Sequence, residues 1–264
     1  MNMLNHTQAE TLWLTIREET ELAVRNEPML ASFLHLTVLR HKNFARMLAF
    51  HLSSKMASAV MDTRALFEIY LEVLREDPRI IQAAMADIVA YYERDPACDA
   101  YSLPLLYYKG FHAIQTHRIN HWLWVQERKT LAYFLQNRAS EVFGVDIHPA
   151  ARLGHGIMID HGTGVVIGET AVLGNDISLL HGVTLGGSGK ESGDRHPKIS
   201  DGVMIGANAS VLGNIRIHTC AKIGAGSVVV MDVPAHSTVV GVPAKVVGQA
   251  ATEQSPAQDM DQRI

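Results

Sequence analysis

Two patterns of apolar residues divide the chain. From Leu12 to about residue 143 they recur at helical spacing, and from Ile147 to Val229 an aliphatic residue returns at every sixth position. The sixfold pattern runs in three registers. The first is Ile147, Leu153, Ile159 and Val165, the second Ile167, Leu173, Leu179 and Leu185, and the third Ile199, Ile205, Val211, Ile217, Ile223 and Val229. Four residues after many of these comes a second small or apolar side chain, as at Ala151, Ala171, Val183, Ala209 and Ala221. Neither helix periodicity nor strand alternation generates this; a parallel β-helix with one short strand and one corner per hexapeptide does. Each inward Ile or Leu adds roughly 1.5–3 kcal/mol by burial. No single turn encloses its own apolar side, so the array folds only as a stack.

The first half reads as helices. Thr7-Gln8-Ala9-Glu10 forms a capping box ahead of a stripe of Leu12, Trp13, Ile16 and Leu22. Asn26-Glu27-Pro28 breaks that helix, a second runs from Met29 toward Leu39, and others cover 43–52, 62–75 and 79–93. Asp77-Pro78 and Asp95-Pro96 are the breaks between them. Pro104 opens one long apolar and aromatic helix reaching Trp124, and a last helix, 128–143, leads into the coil. The expectation is an α+β chain: a helical domain over 1–143 that caps the stack and makes oligomer contacts, a β-helix over 144–248, and a polar, flexible tail over 249–264.

Charge and composition narrow the function classes. The net charge is −4 over 264 residues and no long basic run occurs, which argues against nucleic acid. No apolar stretch approaches the roughly 18 residues of a membrane span, and the first residues lack a charged segment followed by an apolar core. Two cysteines, Cys98 and Cys220, make no disulfide framework, so a cytoplasmic protein is expected.

The coil is interrupted between Leu185 and Ile199 by a polar, glycine-rich loop that ends Gly193-Asp194-Arg195-His196-Pro197. An insertion of this kind in a regular solenoid usually carries function. With the loop counted as two repeats, Gly187, Ala207 and Ala225 fall in one column two residues past the aliphatic. Such a column either leaves a groove for an extended ligand or merely eases the turns. By the same register His181 stacks one turn above His161. Taken alone, a histidine here is more often a packing or surface residue than a base, Asp95-Pro96 is as readily a plain helix stop, and Arg195 as readily a solvated loop charge.

The stretches DPACDAYSLPLLYYKGFHAIQTHRINHWLW (95–124), VDIHPAARLGHGIMIDHGTGVVIGETAVLG (145–174), VTLGGSGKESGDRHPKI (183–199) and GVPAKVVG (241–248) resemble the bacterial serine O-acetyltransferases, members of the left-handed β-helix acyltransferases. The hexapeptides alone resemble only the superfamily; the helical half and the GDRHPK loop narrow the likeness. The resemblance implies left-handed coiling and transfer of acetyl from acetyl-CoA to L-serine, without a metal. His161 then matches the general base and Asp146 the carboxylate that orients it. Asp95 and Asp160 match positions around the substrate amine, and Arg195 and His196 those facing its carboxylate. Gly187, Ala207 and Ala225 match the acetyl-CoA groove, with Lys222 and Lys245 toward its phosphates. Transfer is expected to be direct, without an acyl-enzyme. The resemblance further implies inhibition by L-cysteine at the serine site, trimers pairing into hexamers, and docking of O-acetylserine sulfhydrylase on the terminal Ile264. The rival readings are another hexapeptide acyltransferase, a non-enzymatic scaffold for the sulfhydrylase, and a zinc site built from His155, His161 and His181.

Overall fold

The computed structural model describes residues 4–189, 192–249 and 255–263. The helical half contains α1 (His6–Asn26), α2 (Ala31–Leu34), α3 (Phe44–Met56), α4 (Thr63–Glu76), α5 (Arg79–Arg94), α6 (Ser102–Tyr107), α7 (Lys109–Val125) and α8 (Lys129–Phe143). The capping box of α1 lies earlier than expected. Asn5 Oδ1 accepts the Gln8 N–H at 3.0 Å and Gln8 Oε1 accepts the Asn5 N–H at 2.9 Å, which leaves Thr7 inside the helix. The stretch expected as one helix from Met29 to Leu39 instead passes through a 3₁₀ turn (Pro28–Leu30), α2 and a π turn (His35–Leu39). The helix expected from Pro104 is also divided. Tyr108 is extended (φ −88°, ψ 111°) between α6 and α7, and its hydroxyl bonds Asp95 and Cys98 instead of continuing a helical turn.

The second half is a left-handed parallel β-helix. Its first turn holds β1 (Val145–Ile147), β2 (Arg152–Leu153) and β3 (Met158–Ile159), and its second β4 (Val165–Ile167), β5 (Val172–Leu173) and β6 (Ser178–Leu179). The third holds β7 (Thr184–Gly186), β8 (Lys198–Ile199) and β9 (Met204–Ile205), and the fourth β10 (Ser210–Leu212), β11 (Arg216–Ile217) and β12 (Lys222–Ile223). A last turn of β13 (Val228–Val229) and β14 (Ser237–Gly241) is closed by the antiparallel β15 (Ala244–Gln249). Strands β1, β4, β7, β10 and β13 make the first face, β2, β5, β8 and β11 the second, and β3, β6, β9, β12 and β14 the third. Like positions pair: Ile147 with Ile167, Ile167 with Leu185, and Leu185 with Val211. The sixfold aliphatics are therefore three buried columns. The apparent slip at Val165 and Ile167 is one strand with both residues inward and Val166 exposed between them.

Two expectations about this half are corrected. Leu185 stands on the first face and Ile199 on the second, so the loop fills one corner rather than two repeats. Residues 255–263, expected within a flexible tail, lie packed across the third face. They include α9 (Pro256–Asp259), whose Pro256 and Ala257 are buried. Ser178 Oγ donates to the Ala257 carbonyl at 2.8 Å. The tail is polar on average, and those two small apolar residues were hidden by that average.

A parallel stack leaves the outer edge of its first turn unpaired, and side chains of α5 and α7 satisfy it. His121 donates to the Pro149 carbonyl at 2.8 Å, His117 to Ala151 at 3.1 Å, and Arg118 to Gly154 at 2.7 Å. Asp87 accepts the Ile157 N–H at 2.8 Å and Arg94 donates to the Gly156 carbonyl at 2.9 Å. The Tyr91 hydroxyl accepts from Ile159 N–H at 3.0 Å and donates to its carbonyl at 2.9 Å.

Candidate active site

His161 sits two residues past Ile159, at the corner where the third face turns into the first. Its backbone is left-handed (φ 57°), a conformation shared with Asp176, Asn208 and Cys220 at other corners, so the bend belongs to the coil and not to any special strain. The imidazole is 74% exposed, with Nε2 3.6 Å from Asp160 Oδ2. His181 occupies the same corner one turn on and meets His161 edge to face at 5.9 Å. The column continues through Ala207 and Ala225, two residues past Ile205 and Ile223. Gly187 does not belong to it. It follows Leu185 at the corner after the first face, because the loop occupies one corner only.

Asp160 is held by its neighbours on the cap. Tyr91 pins Ile159 on one side, and Gly110 of α7 comes so near that a Cβ there would lie 2.1 Å from the Ile159 carbonyl oxygen. Only glycine allows that approach. Burial raises the Asp160 pKa above the ordinary carboxylate range; His161 opposes the shift and Asp95 adds to it. Asp95 caps the C-terminus of α5 and takes a hydrogen bond with the Tyr108 hydroxyl. The expected pairing of Asp146 with His161 is not made. Asp146 projects from β1 between the inward Val145 and Ile147, under α8, and accepts Gln136 Nε2 at 2.7 Å. Among the described residues the carboxylate that faces His161 is Asp160.

Arg195 and His196 lie elsewhere, at the corner after the first face. Thr170 Oγ1 accepts both of their backbone N–H groups at 3.0 Å, and Arg195 pairs with Glu169 at 2.7 Å. The His196 ring is buried over Gly168, where a Cβ would lie 2.0 Å from it, and burial followed by Arg195 lowers its pKa. One chain thus brings Asp95, Asp160 and His161 together and Arg195 with His196, but not the two groups to each other. Lys222 reaches the Arg263 carbonyl, Lys245 is exposed on β15, and Ile264 falls outside the described residues. His155 stands at the corner after the second face and does not converge with His161 and His181. Among the described residues no three His, Cys, Asp or Glu are grouped to hold a metal. Burial pushes the Cys98 thiol up to about 11, which keeps it protonated and a poor nucleophile.

The sequence reading missed the cap residues Asp87, Tyr91 and Arg94. All three are buried, at spacings of four and three on α5. A polar stripe at helical spacing on a face that should be apolar was the available signal.

The family described as serine acetyltransferase, N-terminal, matches residues 12–116, and bacterial transferase hexapeptide repeats match residues 196–230. A serine acetyltransferase of Escherichia coli (strain K12) is 54% identical over 257 residues, covering 97% of this chain and 94% of its own. The chain belongs to the serine acetyltransferase family. The crystal structure of the Neisseria gonorrhoeae serine acetyltransferase superposes with a TM-score of 0.93 at 70% identity, covering 98% of this chain and all of that one. A Brucella abortus serine acetyltransferase in complex with coenzyme A superposes at 0.91 with 48% identity, over 94% of this chain and 99% of that one. The first match covers most of the helical cap and the second the later turns of the coil, from the end of the loop to β13.

Proposed function

We propose that this chain transfers the acetyl group of acetyl-CoA to the hydroxyl of L-serine, giving O-acetyl-L-serine and CoA. The observation that carries the reading is an exposed imidazole, His161, flanked by two carboxylates on one side and by a column that narrows to Ala207 and Ala225 on the other. The carboxylates suit an ammonium group, and the small column suits a pantetheine arm along the coil. His161 takes the serine hydroxyl proton as the oxygen attacks the thioester carbonyl. Collapse of the tetrahedral intermediate breaks the C–S bond, and the departing thiolate recovers the proton from His161. Asp95 and Asp160 hold the amine. Arg195 and His196 hold the carboxylate and come from the loop of a neighbouring protomer in a trimer, since one chain leaves them at a different corner. Asp146 is assigned the orienting role on His161 once substrate fills the site.

Relatives support this reading: the gonococcal enzyme has been solved with serine and another serine acetyltransferase with cysteine. L-cysteine shares the amine and carboxylate of serine and is proposed to compete for Asp160, Arg195 and His196. Pairing of trimers into hexamers, and docking of O-acetylserine sulfhydrylase through Ile264, belong to the same proposal. Among the described residues no helix is long and apolar enough to cross a membrane, and a cytoplasmic location is proposed.

The test is thiol release from acetyl-CoA with and without L-serine, with the product identified by mass. Serine-dependent release that His161→Ala removes is the expected result. Release that ignores serine, or a fully active His161→Ala, would overturn the assignment.

A further inference from the structure

Four cations face one cavity on a chain whose net charge is −4. Arg40 and Lys42 precede α3, Arg46 lies on α3, Arg64 stands in the first turn of α4, and together they line a cavity of about 670 Å³. Among the described residues none of the four is ion-paired with a carboxylate. Two of them lie over aromatic rings, Arg40 at 5.1 Å from the Phe50 centroid and Arg46 at 5.3 Å from Phe67. Stacking fixes a guanidinium plane while leaving its N–H fork open to oxyanions. The N-terminus of α4 also opens on the cavity at Thr63, but Asp62 caps it by accepting the Ala65 N–H at 2.9 Å, so the positive charge there comes from the four side chains.

The approach to this cavity is held in an unusual conformation. Arg40 N–H closes the π turn onto the His35 carbonyl at 3.0 Å, and Arg17 clasps the carbonyls of Leu39 and His41 at 3.1 and 2.9 Å. Such turns are rare and frequently lie at functional sites. His41, buried at the base of the cluster, has its pKa lowered first by burial and then by Arg40, Arg46 and Arg17. Cationic side chains are thus gathered here, although the chain as a whole is acidic.

We propose that this cavity binds a phosphate oligoanion, a ligand with two or three linked phosphates, either inorganic or as the tail of a nucleotide. Several unpaired cations around one volume of this size match a compact anion of several charges better than a single carboxylate. Full-length protein would be titrated calorimetrically with inorganic tripolyphosphate and with ATP, at low and moderate salt. CoA is left out, because its own diphosphate belongs to the class of ligand tested, and the cavity substitutions separate this site from the proposed acetyl-CoA groove. The expected result is saturable binding that weakens with salt and falls at least tenfold in an Arg46→Glu/Arg64→Glu variant, while Arg216→Ala on β11 leaves it unchanged. Equal affinity for both ligands would assign the phosphates alone, and tighter binding of ATP a nucleotide. If the double variant loses its circular dichroism, Arg64→Gln replaces it, with a fall of at least threefold expected. Absence of saturable binding, indifference to these substitutions, or tighter binding of poly-glutamate than of tripolyphosphate would overturn the proposal.

Discussion

Tyr91→Phe is the sharpest probe of the join between cap and coil. The substitution removes one oxygen and keeps the ring, which is 1% exposed. That oxygen is both acceptor and donor to the backbone of Ile159, at 3.0 and 2.9 Å, and burial raises the phenol pKa so that its proton is retained. Its loss strands one buried N–H and one buried carbonyl, at about 1–3 kcal/mol each. Water reaching the outermost strand relieves part of this, so a loss of about 2–4 kcal/mol is expected. Urea unfolding at fixed protomer concentration measures it, because assembly would otherwise shift the apparent stability. Ile159 directly precedes Asp160 and His161, so kcat/KM for serine should fall roughly tenfold or more, misplacements near 1 Å being enough. Tyr70→Phe is the control. Among the described residues that buried hydroxyl has no partner, and removing it should cost nothing. A Tyr91→Phe loss under about 0.5 kcal/mol with unchanged serine kinetics would refute the reasoning.

Other expectations are simpler. His161→Ala should lower kcat by roughly 10²-fold or more and leave the urea midpoint in place, since the ring is largely exposed. Asp160→Asn should be more stable than the parent at pH 7 and equal to it near pH 3. The raised Asp160 pKa means the folded chain holds that proton at higher pH than the unfolded one, so its stabilisation is present in acid and lost as pH rises. His51 behaves in the opposite sense. Burial, then Lys55, lower its pKa to about 3, so stability should fall as pH drops from 6.5 toward that value, and His51→Gln should flatten the slope of midpoint against pH. Gly168→Ala drives a methyl into the His196 ring and should raise KM for serine with little change in KM for acetyl-CoA.

The coil was legible because its inward positions admit only aliphatics, so the sixfold spacing of Ile199, Ile205 and Val211 survives any surface variation. The register places His161 and Asp160 at a corner of the coil, but their proposed roles came from the resemblance of the stretch around them and not from the spacing. What failed depended on counting across an insertion. Leu185 and Ile199 are separated by a loop whose extra residues add no turn, and periodicity cannot tell one long corner from two short repeats; Gly187 was misplaced for that reason. The break at Tyr108 was invisible because its cause is not local: its hydroxyl is drawn to Asp95 and Cys98, which lie before α6 in the chain. Arg195 and His196 were placed on the loop, yet no pattern in the sequence could say that the loop stands at the corner after the first face, away from His161.

The arrangement of α5 explains why the cap and the candidate serine site are one device. Asp87, Tyr91 and Arg94 fall on one stripe and each satisfies backbone of the first turn, at Ile157, Ile159 and Gly156. Asp95 is the next residue, at the end of the same helix, so sealing the open edge of the stack necessarily fixes where that carboxylate stands relative to Asp160. Arg118 reinforces the placement by binding Asp87 at 2.7 Å and the Gly154 carbonyl at once. Removing one partner of this buried pair leaves a charge uncompensated, at about 3–5 kcal/mol, and should move stability and serine affinity together. Changes at Thr170 or Glu169, which hold only the loop, should move serine affinity alone. A cap that served stability without positioning Asp95 and Asp160 would not separate the two classes in this way.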